Sequence, residues 1–302
     1  MGDPIPPWPG ESADLGGIEL FVRSAPPADP ATVEPAVFVH GLGGGSTNWT
    51  DLMDELTDLL DGDAPDLPGF GHSPVPKAGD YSIDGHAAAV TAWIEARGRG
   101  PVHLFGNSMG GAVATRIAAE RPELVRTLTL VSPALPDLRP RMGPYRMPVV
   151  LVPRAGPWVL DKVLARPPEE RVQGMLDMCY SDPSRVPAQR LMEAVQEMRR
   201  QSDLDHVADA LSGSIRGLVV EYLRRGPRAL WRQAAKVRVP TLVLYGRDDR
   251  LVDPRMAGRA GRVFRRSRVV VLPRAGHVAQ MELPRTVARE FRALLEDLDG
   301  RE

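Results

Sequence analysis

The stretch Phe105-Gly106-Asn107-Ser108-Met109-Gly110-Gly111-Ala112-Val113 sets one serine among three glycines. The run before it, Val102 to Phe105, is apolar and reads as a buried strand. The run after it, Gly110 to Glu120, reads as a helix. A serine at a sharp strand-to-helix turn needs small neighbours, because glycine tolerates positive φ and lets backbone approach closely. The pattern Gly106-x-Ser108-x-Gly110 in this context marks Ser108 as a candidate nucleophile. The five-residue pattern alone arises easily by chance, so its surroundings decide its meaning.

Outward from this turn the chain repeats the same rhythm. Apolar runs at Ile18–Val22, Ala36–Gly41, Leu128–Pro133, Thr241–Gly246 and Val269–Pro273 read as strands. Helical stretches alternate with them at 46–60, 82–96, 108–122 and 284–298, with Ser46 and Ser82 as candidate N-caps. Near-continuous apolar strands alternating with helices predict an α/β fold with a mostly parallel sheet covered on both faces. The rhythm stops after Pro133. Residues 134–236 carry prolines and helical patterns without a convincing strand. They read as a helical insertion of about 100 residues between core segments 1–133 and 237–302.

Composition narrows the function. The chain has 302 residues, 43% of them hydrophobic, and a net charge of −1. That balance implies no general attraction to nucleic acid or to an anionic membrane. A single cysteine, Cys179, excludes an intrachain disulfide and reads as an inert helix residue. The N-terminus lacks the basic and apolar regions of a secretory signal. No apolar run is long enough to span a bilayer. The expectation is a soluble, cytoplasmic protein of unknown oligomeric state.

A serine hydroxyl needs a base, and the base needs a group that orients it. Of the six histidines, His277 is best placed, in a glycine-containing loop just past the strand at Val269–Pro273. Asp248 and Asp249 both follow the strand Thr241–Gly246 and are candidate acids. Donors for an oxyanion are expected at the Met109 N–H, where a helix begins, and at Leu42 in the glycine-rich loop His40–Trp49. His40 reads as a brace for that loop and His72 as a hydrogen-bonded loop residue. His86, His103 and His206 have no partners at metal-ligand spacing, so neither metal nor cofactor is expected.

With these residues in place, the chain resembles the α/β-hydrolase fold family, in its capped, serine-nucleophile, esterase- or lipase-like form. The segments HGLGGG (His40–Gly45), DLPGFGHSP (Asp66–Pro74), GNSMGG (Gly106–Gly111), GRDD (Gly246–Asp249) and AGHVAQMELP (Ala275–Pro284) stand in the family's order and spacing. The resemblance covers the core on both sides of the insertion. It implies Asp249 rather than Asp248 as the acid, three residues after the glycine that ends its strand. Some members carry the acid one strand earlier, where this chain has Ser132. A serine at the elbow sets it apart from the members that use aspartate there, the haloalkane dehalogenases and epoxide hydrolases.

The resemblance therefore implies a Ser108–Asp249–His277 triad that hydrolyses a small-molecule carboxylic ester. Met147, Val149, Leu151 and Trp158 are candidates for an acyl pocket under the cap; their alternative is simply to pack the cap onto the core. Three other functions share this framework. One is a carbon–carbon bond hydrolase of the meta-cleavage-product type, to which GNSMGG is similar, although those enzymes usually carry tryptophan where this chain has Val278. The others are a cofactor-free perhydrolase and a hydrolase-like binding protein or receptor.

Overall fold

A computed structural model describes residues 5–29, 31–137, 152 and 155–299. Eight strands form one sheet in the order β1-β2-β4-β3-β5-β6-β7-β8. They are β1 (Gly10–Asp14), β2 (Glu19–Ala25), β3 (Glu34–Val39), β4 (Leu60–Pro65), β5 (Val102–Asn107), β6 (Val125–Val131), β7 (Thr241–Gly246) and β8 (Ser267–Leu272). The β1–β2 and β2–β4 pairs are antiparallel; the other pairs are parallel.

Among the described residues the helices are α1 (Thr50–Asp54), α2 (Ile83–Arg97), α3 (Met109–Glu120), α4 (Ala155–Leu164), α5 (Pro168–Cys179), α6 (Ala188–Ser202), α7 (Val207–Leu223), α8 (Leu230–Ala234), α9 (Met256–Val263), α10 (Ala279–Glu282) and α11 (Pro284–Asp299). Helices α4 to α8 all lie between β6 and β7.

Each central strand is apolar throughout because both of its faces are covered. In β3, Val37 and Val39 join the core with Val90 and Ile94 of α2 and Val113 and Ile117 of α3. Their neighbours Ala36 and Phe38 point into a second core with Leu52 of α1 and Phe291 of α11. Strand β5 divides in the same way, with Leu104 on one side and Phe105 on the other. Alternate residues of a strand face opposite sides, so a strand buried on both faces reads as a continuous apolar run.

Two strands escape the sequence reading. β4 carries Asp61 and Asp63, which argue against a buried strand. Asp63 is fully buried and is held by Arg97, Arg99, Trp93 and Ser24. Its charge is matched by arginines that lie far along the chain, so no local pattern reveals it. β1 is a short exposed edge strand. The helix expected over 46–60 is shorter than its pattern: a single 3₁₀ turn (Ser46–Trp49), then α1, then β4 from Leu60. Ser46 does not cap it, since Gly45 holds the N-cap position. Ser82 does cap α2, with its hydroxyl accepting the Gly85 N–H at 3.0 Å.

The segment between β6 and β7 is tied to the rest of the molecule by buried polar contacts. On α7, Ala210, Ser214, Gly217 and Glu221 are buried and recur at helical spacing, so they form one inward face. Arg116 of α3 pairs with Glu221 at 2.8 Å, both buried. His86 of α2 meets the Ser214 hydroxyl at 3.2 Å. Burial, helped by nearby His40, pushes the His86 pKa down to about 3.

This has a consequence for acid stability. The unfolded chain takes up a proton near pH 6.5, whereas folded His86 does not until about pH 3. The stability of the neutral buried ring is fully present above pH 6.5 and is lost as the pH falls through that window. The expected loss is on the order of a few kcal/mol. Urea denaturation at pH 7.5 and pH 4.5 measures it. His86→Gln, which cannot charge, should flatten the dependence; an equally steep fall in the variant would assign it to other groups.

Candidate active site

Ser108 stands at the carboxyl end of β5 with φ 53° and ψ −117°. A non-glycine residue at positive φ costs on the order of 1–3 kcal/mol and persists only where its surroundings enforce it. The enforcement is visible. The Ser108 N–H donates to Val131 O at 3.1 Å, and its carbonyl accepts from Gly111, Ala112 and Ala134.

The flanking glycines are not the residues with positive φ; Ser108 itself is. Their role is close approach. A Cβ on Gly106 would lie 2.5 Å from Gly110 O, and one on Gly111 would lie 2.7 Å from Pro133 Cβ. A Cβ on Gly110 would overlap the carbonyl oxygen of Val39 in β3. Gly110→Ala is therefore expected to destabilise the fold by at least about 1–3 kcal/mol, the usual cost of overpacking. A lowered denaturation midpoint would show it. An unchanged midpoint would mean that α3 can move away from β3.

His277 follows β8, and its Nδ1 lies 3.0 Å from Asp249 Oδ2. Both are buried. Asp249 follows β7, and its other oxygen, Oδ1, accepts the N–H groups of Leu251 at 2.8 Å and Val252 at 2.9 Å. Burial presses this carboxyl toward its neutral form. The His277 ring, the Val252 N–H and the Ser132 hydroxyl outweigh that pressure and hold its pKa below the ordinary carboxylate value. Asp248 is exposed and accepts the Ser181 hydroxyl at 2.8 Å instead. The structure thus brings Asp249, not Asp248, to His277. Ser132, at the end of β6, serves as a neighbour of the acid rather than its replacement.

Leu42 follows β3, and Met109 begins α3. Met109 stands in the first turn of its helix, where backbone N–H groups have no intrahelical partner. His40 braces the Leu42 loop: its Nε2 accepts the Leu67 N–H at 2.9 Å, so Nδ1 carries the proton and donates to Gly41 O at 2.7 Å. Asp66 completes the brace by accepting from Ser46 and His72 N–H groups. Ser108, Asp249, His277 and Leu42 therefore all project from the carboxyl ends of parallel strands, the edge where open α/β sheets bind ligands.

The expected acyl-pocket residues fare differently. Met147, Val149 and Leu151 lie outside the described residues. Trp158 is 62% exposed on α4, whereas an acyl-pocket residue is sheltered from water; it is not part of a closed apolar pocket here. No group of three or more His, Cys, Asp or Glu side chains among the described residues could hold a metal ion. No helix among them is long and apolar enough to cross a membrane.

Asn107 and Cys179 contribute contacts that sequence reasoning missed. The Asn107 amide donates to Val131 O and to His277 O, each at 3.0 Å. It ties the end of β5 directly to the histidine loop. The Cys179 thiol is pushed up to about 12, chiefly by burial, which keeps it protonated and unreactive. Its backbone carbonyl, however, accepts the His277 N–H at 2.6 Å. Asn107 had a sequence signal in its place beside Ser108; a carbonyl contact has none.

Comparison with known proteins places the fold. Lipase 3 of Moraxella sp. is 27% identical over 275 residues, covering 89% of this chain and 80% of that protein. A 2-hydroxy-6-oxo-2,4-heptadienoate hydrolase of Pseudomonas putida is 28% identical, covering 93% of this chain and 94% of that one. Among solved structures, the 2-hydroxy-6-oxo-6-phenylhexa-2,4-dienoate hydrolase of Rhodococcus sp. superposes with a TM-score of 0.76 over 95% of this chain and 98% of its own, at 21% identity. That likeness concerns the fold alone. A family model described as the alpha/beta hydrolase family matches residues 36–290. With the sheet order, the strained elbow at Ser108 and this match in hand, the chain belongs to the alpha/beta hydrolase family.

Proposed function

We propose that this protein is a serine hydrolase that cleaves a carboxylic ester through an acyl-enzyme. The observation that carries the reading is the buried Asp249–His277 hydrogen bond at 3.0 Å, at the same sheet edge as a serine held at positive φ.

In this reaction His277 takes the Ser108 proton as the hydroxyl oxygen attacks the ester carbon. The carbonyl oxygen becomes an oxyanion and accepts the Leu42 and Met109 N–H groups. As the intermediate collapses, the carbon–oxygen bond to the alcohol breaks, and His277 passes its proton to the departing oxygen. Water then enters, loses a proton to His277 and attacks the acyl carbon. Ser108 leaves with the proton returned, and the carboxylic acid is released. Asp249 keeps the imidazole in one orientation and stabilises its charged form throughout. Helices α4 to α7 form a cap that shelters the acyl group from water.

The Moraxella lipase favours ester cleavage. Carbon–carbon bond hydrolysis is the second reading, favoured by Asn107 beside the serine and by the Pseudomonas relative. Val278, in place of the tryptophan usual there, stands against it. A panel of p-nitrophenyl esters of rising acyl length, run beside a dienol-dienoate, separates the two. Turnover of the esters alone is expected; turnover of the dienol-dienoate alone would replace the ester reading.

A further inference from the structure

The histidine loop is held from the insertion as well as from the core. Glu282, at the end of α10, sends its carboxylate between the two. Its Oε1 accepts the N–H of Gly276, the residue before His277, at 2.6 Å. Its Oε2 accepts the N–H of Ser181, which follows α5, at 2.8 Å. Between these two bonds the Cys179 carbonyl takes the His277 N–H.

The fit is tight. A Cβ on Gly276 would overlap Cys179 O and lie 2.6 Å from Ser181 N. Val172, Leu176 and Tyr180 of the insertion close over Val278 in a buried apolar cluster. The acid loop is pinned by the same segment, since Ser181 Oγ donates to Asp248 and the Arg250 guanidinium donates to Asp177 O. The two loops also join directly, Asp248 N to Ala275 O at 2.9 Å.

We propose that Glu282 is a positioning residue that couples the seating of the α5 segment to the placement of the His277 imidazole. The inference rests on His277 being the base for Ser108. The Asp249 contact alone fixes one ring nitrogen; it does not fix the backbone from which the ring hangs. That backbone is fixed on three sides, by Asn107 at the His277 carbonyl, by Cys179 at its N–H and by Glu282 at the preceding N–H. One of those three, the Cys179 carbonyl, belongs to the α5 segment itself, and a second, Glu282, also holds that segment at the Ser181 N–H. A displaced α5 end therefore displaces the base, and the catalytic geometry is complete only with this part of the insertion seated. A shift of about 1 Å at a reacting group can cost 10²-fold in rate.

The test uses Glu282→Gln and Glu282→Ala in the full chain, with a fluorophosphonate as probe of Ser108. A glutamine has one acceptor oxygen and keeps one of the two bonds; alanine keeps neither. At saturating probe, the first-order labelling rate should fall about tenfold for Gln and about 10²-fold for Ala. The half-saturating probe concentration should stay within about twofold, because a positioning defect acts on the chemical step. Melting temperatures are recorded in parallel, and Glu282→Gln carries the test if the alanine variant does not fold. Labelling at the wild-type rate, with or without a lower melting temperature, would make Glu282 a structural brace only and overturn the inference. A loss confined to the half-saturating concentration would overturn it too. If wild type itself takes no label on Ser108, the triad reading falls first and the inference with it.

Discussion

Ser108→Ala is expected to lower kcat about 10⁶-fold, the scale on which removal of a triad serine acts in a serine protease. The effect should fall on kcat with little change in folding. The side chain is only partly buried, and removing one hydroxyl from such a position usually costs little stability. The strain at φ 53° is a property of the backbone and remains in the variant. Steady-state kinetics on the best ester of the panel, together with a denaturation curve, measure both quantities. A variant that keeps more than a trace of turnover while remaining folded would mean that Ser108 is not the nucleophile.

Asp249→Asn should cost about 10⁴-fold in kcat, as loss of the orienting aspartate does in a serine protease. An amide can still meet the ring, but its NH₂ favours the wrong tautomer and lends no charge to the imidazolium. Asp248→Asn should cost roughly tenfold at most, since Asp248 is exposed and meets Ser181 rather than His277. The two kcat values measured side by side decide the matter, and a reversed order would remove Asp249 from its assigned role. The Asp249 pKa is held low, so the contribution of its ionised form to stability is fully present above about pH 4 and is lost as the pH falls through the lowered value.

What the sequence revealed and what it hid follow from range. The elbow was legible because its requirements are local: an apolar strand, a serine, small residues on both sides and a helix. The central strands were legible because both faces are covered, which leaves an unbroken apolar run at Ala36–Val39 or Thr241–Tyr245. β4 was not, because Asp63 is balanced by Arg97 and Arg99, more than thirty residues away. The reason for the glycines was also only half legible. Their spacing announced a tight turn, but the crowding of Gly110 on Val39 appears only when β3 and β5 lie side by side.

The site divided in the same way. Ser108, Asp249 and His277 stand at strand ends that hydrophobicity locates. Asn107, Cys179 and Glu282 make their contacts through backbone groups, Asn107 and Cys179 with residues far along the chain, and such contacts leave no mark on composition or spacing. The one available sign for Glu282 was an acid flanked by Met281 and Leu283, five residues after the histidine. The acyl-pocket expectation for Trp158 rested on hydrophobicity alone, and hydrophobicity does not say which side of a helix faces inward.

The central claim is a covalent acyl-enzyme on Ser108. The most direct measurement is rapid-quench mass spectrometry during turnover of a p-nitrophenyl ester. The prediction is an early burst of p-nitrophenol matched by an acyl mass increment on the peptide that contains Ser108, absent from Ser108→Ala. Steady turnover with no such adduct at any quench time, or an adduct on another residue, would contradict the account.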